Sequence, residues 1–222
     1  MKKKLNQKGK VFALFLATLF LAGTSMNAQD GSKIENPVGK GRIVFDADLS
    51  FGSIDLNNKD AFSTKTEVKS SNSDFSVGYA FIDNLVVSLR FSHTYNENSS
   101  VNQFFNSNEE GKGSTLSLNA TYFFSQEKKL RPYLTVGYGL GSIDITSTVL
   151  ITGSPAQTNN VKQNTRSFDF GGGLAYFINT HIGVGVFYTY SSLTYKDDDS
   201  NAFSADQDGN SGLFGVSLIL SL

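Results

Sequence analysis

Six charged side chains stand inside stretches of the sequence whose neighbouring residues are apolar or small. Four are carboxylates and two are guanidinium groups, so they pair by charge wherever the fold brings them together. In a crowded interior such pairs satisfy buried polar groups and act as a structural plug, whereas a looser arrangement leaves a polar route for small solutes. The six residues are Arg42, Asp46, Asp48, Asp74, Arg90 and Asp169, and Arg166 is a further candidate.

The acidic stretch near the end of the chain could offer carboxylate oxygens to calcium. Its candidates are Asp206 and Asp208. An EF-hand loop that began at Asp206 would need glycine at its sixth position and glutamate at its twelfth, where this chain has Ser211 and Ser217. We therefore expect a solvated acidic loop and no metal site, with Asp206 and Asp208 as weak candidates only.

Nucleophilic catalysis needs a base beside a serine, and the chain holds only two histidines, His93 and His181. His93 follows Ser92 and precedes Glu97 by four positions. Adjacent residues of a strand face opposite ways, so Ser92 and His93 are badly placed to cooperate. His181 lies in a short turn. We expect no catalytic centre and no cofactor, and the absence of cysteine excludes a thiolate metal site.

The first 28 residues have the features of a cleavable signal peptide. Five lysines precede an apolar run at 11–22, and Met26-Asn27-Ala28 supplies a cleavage site with a small last residue. The run is short for a membrane-spanning helix, although a retained anchor is the alternative.

The leader holds five of the 19 basic residues and none of the 20 acidic ones, which leaves 14 basic against 20 acidic residues in the mature chain and a net charge of −6. An acidic mature chain argues against a nucleic-acid partner.

After a polar lead-in at 29–40, the sequence alternates between apolar and small or polar residues with a period of two, which predicts strands. Eight such runs occur within 42–52, 73–81, 85–94, 115–124, 134–141, 168–176, 182–190 and 213–222. Three connections are short, and they alternate with four long polar ones, for which we expect loops at 55–66, 96–112, 146–165 and 196–211. Alternation of this kind predicts an up-and-down sheet, with the short turns at one end and the long loops at the other.

Eight up-and-down strands close either into a soluble barrel with an apolar interior or into a membrane barrel with an apolar exterior. The second face of these strands is mostly Gly, Ser and Thr, which suits a narrow lumen better than a solvated surface. The apolar faces carry no charged residue, as a lipid-facing band requires. We therefore expect these residues to face lipid: Leu85, Val87, Leu89, Leu118, Val136, Val184, Val186 and Leu218.

Aromatic residues mark both ends of the predicted apolar band, although aromatics also favour strands in general. Membrane interfaces prefer such rings of Tyr and Phe. Toward the short turns we place Tyr79, Phe81, Tyr122, Phe123, Phe124, Tyr133, Tyr176 and Phe177, and toward the long loops Tyr95, Tyr188, Tyr190 and Tyr195.

Three segments resemble the small outer-membrane β-barrel family related to OmpA, OmpX and OmpW. They are Leu130-Arg-Pro-Tyr-Leu-Thr-Val-Gly-Tyr-Gly-Leu-Gly141, the turn Ala-Tyr-Phe-Ile-Asn179, and the alternating strand that ends the chain. The resemblance implies a monomer in the outer membrane of a Gram-negative bacterium, with both termini in the periplasm and with contacts to lipid and to the β-barrel insertion machinery. In that family the machinery recognises an aromatic residue at the end of the last strand. This chain has Leu222 at that position.

The expected fold is all-β: an eight-stranded antiparallel up-and-down transmembrane β-barrel at 41–222, after the signal peptide at 1–28 and the lead-in at 29–40. Its expected function is that of a structural or surface-interaction protein that meets an external ligand through its loops. The alternative is a narrow channel for small or apolar solutes, as the resemblance to OmpW allows. A lipid-modifying enzyme, a type that also occurs among small outer-membrane barrels, is a remote alternative.

Overall fold

A computed structural model describes residues 35–57, 65–101, 105–125, 128–151, 154–197 and 207–222. The predicted signal peptide at 1–28, the first part of the lead-in and Asp206 lie outside these residues. None of the described residues belongs to a helix that is both long and apolar enough to cross a membrane.

Eight antiparallel strands form a closed barrel in which each strand pairs with its sequence neighbours and the last pairs with the first. This confirms the predicted all-β, up-and-down fold. Closure runs from Val44 opposite Ser221 to Phe51 opposite Phe214. The strands are β1 (Ile43–Asn57), β2 (Lys65–Ile82), β3 (Leu85–Val101), β4 (Phe105–Phe123), β5 (Leu130–Ile151), β6 (Gln157–Phe177), β7 (Ile182–Asp197) and β8 (Gln207–Ser221).

The strands are 15 to 22 residues long, whereas about 9 to 11 tilted residues suffice to cross a bilayer. The additional length lies at the end where we expected long loops. β3 and β4 stay paired out to Val101 opposite Asn106, and β5 and β6 out to Val149 opposite Gln157. The predicted loops at 96–112 and 146–165 are therefore wrong in extent, because most of their described residues are paired strand. Of the predicted loops at 55–66 and 196–211, residues 58–64 and 198–206 lie outside the described residues, and the rest belongs to strands.

The physical reason for this error is that alternation of hydrophobicity reports a difference between two environments. Where both faces of a strand meet polar surroundings, the sequence has no reason to alternate, although the backbone pairing continues. Residues 96–100 read Asn-Glu-Asn-Ser-Ser, and all five belong to β3. The projecting hairpins are thus strands without a hydrophobic signature.

The apolar face of each strand lies on the outside of the barrel. Leu89, Leu118 and Val136 are 52%, 57% and 42% exposed, and Val184, Val186 and Leu218 are exposed to a similar degree. Leu85 and Val87 share the outer face of β3 but are half-buried. All eight residues that we expected to face lipid have outward positions.

The inner face is built from small residues because the interior is crowded. A methyl group added at Gly139 would lie 2.6 Å from the Ser167 hydroxyl oxygen, and one added at Gly183 would lie 2.9 Å from the Phe177 ring. Glycine at these positions leaves room for the side chain of its cross-strand partner on the neighbouring strand.

Three aromatic residues that we expected in the outer ring at the short turns point inward instead. Phe123, Tyr133 and Phe177 form an inner aromatic cluster, with ring centroids 5.3 Å apart for Phe123 and Tyr133 and 6.1 Å apart for Phe123 and Phe177. Strand alternation explains the error: Phe123 stands between the outward-facing Tyr122 and Phe124, so it must face inward.

Candidate functional site

The charged residues meet in one layer across the middle of the lumen. The Arg90 guanidinium lies 3.5 Å from the Asp48 carboxylate, and both side chains are largely enclosed. Asp46 and Asp74 also lie within electrostatic range of Arg90. Three acidic residues therefore surround one basic residue in what we call the charged layer: Asp46, Asp48, Asp74 and Arg90.

Of the two other residues predicted for this network, Asp169 lies near the charged layer and Arg42 lies apart from it. Asp169 accepts a hydrogen bond of 3.2 Å from Ser167 and lies within electrostatic range of Asp74 across the lumen. Arg42 does not join the network. It precedes β1 at the short-turn end, where it contacts the Glu35 carboxylate at 3.2 Å and the Thr180 carbonyl oxygen at 3.5 Å.

Arg166, the further candidate, has an exposed side chain on the outer face of β6, opposite Leu140 of β5. It therefore lies outside the lumen, and the suggestion that it joins the network is wrong. Asp208 belongs to β8, but its side chain is not described. Within the described ranges, no three His, Cys, Asp or Glu residues are grouped so that they could hold a metal ion.

The charged layer separates two cavities inside the barrel. The inner one has a volume of only about 30 Å³ and adjoins Asp46, Asp48, Arg90 and Tyr133. Buried polar atoms of this layer, Asp46 Oδ1, Asp48 Oδ1 and Arg90 Nε, have no hydrogen-bond partner among the described residues. A cavity of this size is close to that of one or two water molecules, so the inner lumen is too narrow for a solute.

The second cavity, which we call the outer cup, has a volume of about 320 Å³ and reaches the projecting hairpins. Most of its lining residues are serine, threonine or asparagine. Its charged lining residues are Asp74, Glu109, Asp169 and Arg90, of which Asp74 and Arg90 belong to the charged layer at its base.

The short-turn end of the barrel is covered by residues 35–41, which we call the stopper. Val38 is fully buried and belongs to the same apolar cluster as Phe123, Phe177 and Ile219. The carbonyl oxygen of Val38 accepts a hydrogen bond of 2.9 Å from the Asn84 amide, and the Gly41 amide donates one of 2.8 Å to the Ala80 carbonyl. These hydrogen bonds attach the stopper to the end of β2 and to the turn between β2 and β3.

A fully buried arginine holds the stopper from the other side of the lumen. Arg131 Nη1 donates a hydrogen bond of 2.6 Å to Asn36 Oδ1, and Arg131 Nε donates one of 2.8 Å to the Lys128 carbonyl. Its guanidinium lies 5.4 Å from the centre of the Phe177 ring, within the range of a cation–π interaction. The Ser221 hydroxyl also donates a hydrogen bond to the Pro37 carbonyl oxygen, which ties the stopper to the end of β8.

Neither Arg131 nor the stopper was identified as functional from the sequence. We expected residues 29–40 to be a polar lead-in, and Arg131 stood only within the segment that carries the family resemblance. The contact between Arg131 and Asn36 joins positions 95 residues apart, so local pattern carries no trace of it. The one available signal was Arg131 itself, a charge immediately before an apolar strand.

The histidines have structural partners. His93 Nδ1 lies 3.4 Å from the Ser114 hydroxyl on the outer face, while Ser92 faces the outer cup. His181 Nδ1 lies 2.8 Å from the Ser221 carbonyl oxygen at the short-turn end. Ser92 and His93 therefore face opposite sides of the barrel wall, as strand alternation requires.

Comparisons with solved structures found several outer-membrane proteins that are similar to this chain. Neisserial surface protein A is similar at 15% identity, covering 82% of this chain and 99% of that one with a TM-score of 0.51. The outer membrane protein OprG from Pseudomonas aeruginosa has 11% identity, coverage of 85% and 98% and a TM-score of 0.43. Ail, the attachment invasion locus protein of Yersinia pestis, has 13% identity, coverage of 82% and 97% and a TM-score of 0.39. At such identities the likeness concerns the fold alone, and no curated protein matched the chain.

A family model settles the relationship that the sequence resemblance suggested. The model for the outer membrane protein beta-barrel domain matches residues 15–213, which is most of the chain. The resemblance to small outer-membrane barrels is thereby confirmed. The chain belongs to the outer membrane protein beta-barrel domain family, whose place is the bacterial outer membrane.

Proposed function

We propose that this protein is a closed outer-membrane barrel whose projecting hairpins contact an external partner, and that it is neither a channel nor an enzyme. The observation that carries the proposal is the closure of the lumen, which is blocked by the stopper at one end and by the charged layer in the middle. The part of the molecule left to meet a partner is the hairpin end.

The proposed orientation follows from the two kinds of connection. Membrane barrels of this type have short periplasmic turns and longer extracellular segments. The short-turn end, with the stopper and Leu222, is therefore assigned to the periplasm, and the hairpins of β3–β4 and β5–β6 are assigned to the cell exterior. Both termini of the mature chain then lie in the periplasm.

The proposed contacts with lipid follow from the outer face. Its exposed aliphatic side chains need an apolar solvent, because so large an apolar surface is rare on a water-soluble monomer. Closure of β1 on β8 leaves no long unpaired strand edge within the band, so a monomer is sufficient. We expect delivery to the membrane by the β-barrel insertion machinery.

Single cysteines test the orientation cleanly because the chain contains none. Asn108→Cys places a thiol on an exposed position of the β3–β4 hairpin, and Ile178→Cys places one on the exposed turn before β7. With a membrane-impermeant maleimide, we expect labelling of Asn108→Cys in intact cells and labelling of Ile178→Cys only after permeabilisation of the outer membrane. The reverse pattern would overturn the assignment.

The role of the hairpins is tested by shortening them. Asn96 and Gly111 are cross-strand partners, as are Thr146 and Asn160, so a two-residue Asn-Gly turn can replace the segment between each pair. Cells that display the full chain should adhere to at least one immobilised host surface protein, and cells with the trimmed chain should not. If the trimmed barrel is present at equal amount and adheres equally, the hairpins do not carry the interaction.

One observation favours the alternative of a narrow channel. The outer cup and the inner cavity both lie inside the barrel and share Arg90 and Phe187 in their walls. A rearrangement of the charged layer and of the stopper together would join them into one path. Both barriers would have to move, and for that reason the closed barrel is the primary proposal.

A further inference from the structure

The outer cup has the size and form of a small-molecule site. Its volume of about 320 Å³ falls at the lower end of the range typical of ligand pockets. It ends at the charged layer, below which lies the inner cavity of about 30 Å³. A molecule that enters from the hairpin end therefore stops there.

The charges that line the cup are mainly negative. Asp74 of β2, which belongs to the charged layer, and Asp169 of β6 line the cup from opposite sides of the barrel, and Glu109 lies in the β3–β4 hairpin. Arg90 is the one lysine or arginine among the described lining residues, and Asp48 below the cup is already within 3.5 Å of its guanidinium. A cleft lined by one sign of charge attracts ligands of the opposite sign, since its walls concentrate the field.

The wall next to Asp74 also has an excess of hydrogen-bond acceptors. Asn72 Oδ1, Asp74 Oδ1 and Asn98 Oδ1 are buried and have no donor among the described residues. They lie on the neighbouring strands β2 and β3, so they form one side of the cup. An enclosed acceptor without a donor is unfavourable, and a ligand that brings several N–H groups would satisfy it.

A bare metal ion does not fit this chemistry. Hard cations such as calcium need six to eight oxygen ligands, and the part of the chain that the structure covers contains no cluster of three metal-ligating residues. An organic ammonium ion instead needs one or two carboxylates for its charge and nearby oxygens for its protons. The hydroxyls and amides of the wall supply such oxygens.

We propose that the outer cup binds a small organic cation that carries primary or secondary amino groups. Asp74 and Asp169 flank the ammonium group from opposite sides of the lumen, and Asn72 accepts a further N–H. The cup reaches the β3–β4 hairpin through Asn96, Asn98 and Glu109, but occupancy of the cup does not require the external partner proposed for the hairpins.

Calorimetric titration of the folded protein in zwitterionic detergent, with spermidine as the probe at low salt, tests the proposal. Asp74→Asn and Asp169→Asn remove one charge each with almost no change of shape. We expect each variant to weaken binding by about tenfold or more, because a charge-assisted hydrogen bond becomes a neutral one.

Asp144→Asn is the matched control, since Asp144 is exposed on the outer face of β5 and the substitution changes the net charge equally. Binding to this variant should equal that of the wild type. The proposal is overturned if the wild type shows no saturable binding, if Asp144→Asn weakens binding as much as Asp74→Asn, or if the neutral analogue 1,5-pentanediol binds as tightly as spermidine.

Loss of binding through misfolding is excluded by gel mobility, which differs between unheated and boiled samples of a folded membrane barrel. The outcome also separates the two proposals. A barrel that binds spermidine and conducts ions contradicts closure alone, and a closed barrel that does not bind contradicts the cup site alone.

Discussion

At the scale of single residues, the face of the strand on which a side chain lies determines which substitutions are tolerated. Leu89 is 52% exposed on the outer face, while its neighbours Ser88 and Arg90 face the lumen. The same substitution therefore meets lipid at one position and a polar interior at the next.

Leu89→Arg should prevent or strongly reduce assembly into membranes. A lipid-facing arginine near the midplane costs roughly 2 to 4 kcal/mol, a large share of the stability of a small domain. Thr94→Arg is the control, because Thr94 faces the outer cup, where about 320 Å³ is available. Ser88 is unsuitable as a control since it borders the cavity of about 30 Å³. The heat-dependent gel shift after refolding into vesicles measures assembly, and equal yields for Leu89→Arg and Thr94→Arg would contradict the lipid assignment.

Arg131 is the residue on which the stopper most depends. Arg131→Met keeps a long unbranched side chain but removes the hydrogen bonds to Asn36 and to the Lys128 carbonyl. Hydrogen bonds to charged groups contribute about 1.5 to 3 kcal/mol each, so the loss of two should lower the free energy of unfolding by roughly 3 to 6 kcal/mol.

Urea unfolding in lipid vesicles measures this change. Arg166→Met is the matched control, because the Arg166 side chain is exposed on the outer face of β6, and we expect a much smaller effect there. Equal effects of the two substitutions would show that the stopper does not stabilise the barrel.

At the scale of elements, the membrane-spanning part of each strand could be predicted from sequence and the projecting part could not. The run from Leu85 to Phe91 alternates because lipid and lumen differ, so its strand and both of its faces were predictable. Asn96 to Ser100 continue the same strand, but polar surroundings on both sides remove the alternation. The stopper was missed for a different reason, since its partners Asn84 and Arg131 are distant in sequence.

The hairpins should resist hydrogen exchange if they are paired strands. Backbone amides of residues 96–100 in β3 and 107–111 in β4 are opposite one another in the register, so the amides that point toward the partner strand should exchange slowly. The backbone amides of Asp83 and Ala156 lie outside the strands and serve as internal references. Exchange mass spectrometry of the folded protein measures this, and exchange of 96–100 as fast as that of Ala156 would support mobile loops instead.

The candidate site could be predicted in part. The charges of β1, β2 and β3 follow from strand alternation, which places Asp46, Asp48, Asp74 and Arg90 on the inner face. Arg42 was assigned to the same network in error, since a residue that precedes a strand is not bound by its alternation. Asp169 of β6 lies across the lumen from Asp74 of β2. This proximity follows from closure of the barrel and could not be predicted from the sequence pattern.

At the scale of the whole molecule, the described residues form a barrel whose lumen is filled at one end. The stopper and the inner aromatic cluster fill the short-turn end and the charged layer crosses the middle, whereas the outer cup lies toward the hairpins. In the proposed function, such a molecule offers surfaces for recognition rather than a path for transport. Closure is therefore the central claim on which the proposed function depends.

Single-channel recording in planar bilayers tests closure most directly, with a porin of known conductance as the control for insertion and detection. The lumen is blocked at two independent levels, so the wild-type protein should insert without discrete conductance steps over hours of recording at moderate voltage. Reproducible steps of uniform size from the folded wild-type protein would contradict closure and would favour the narrow channel.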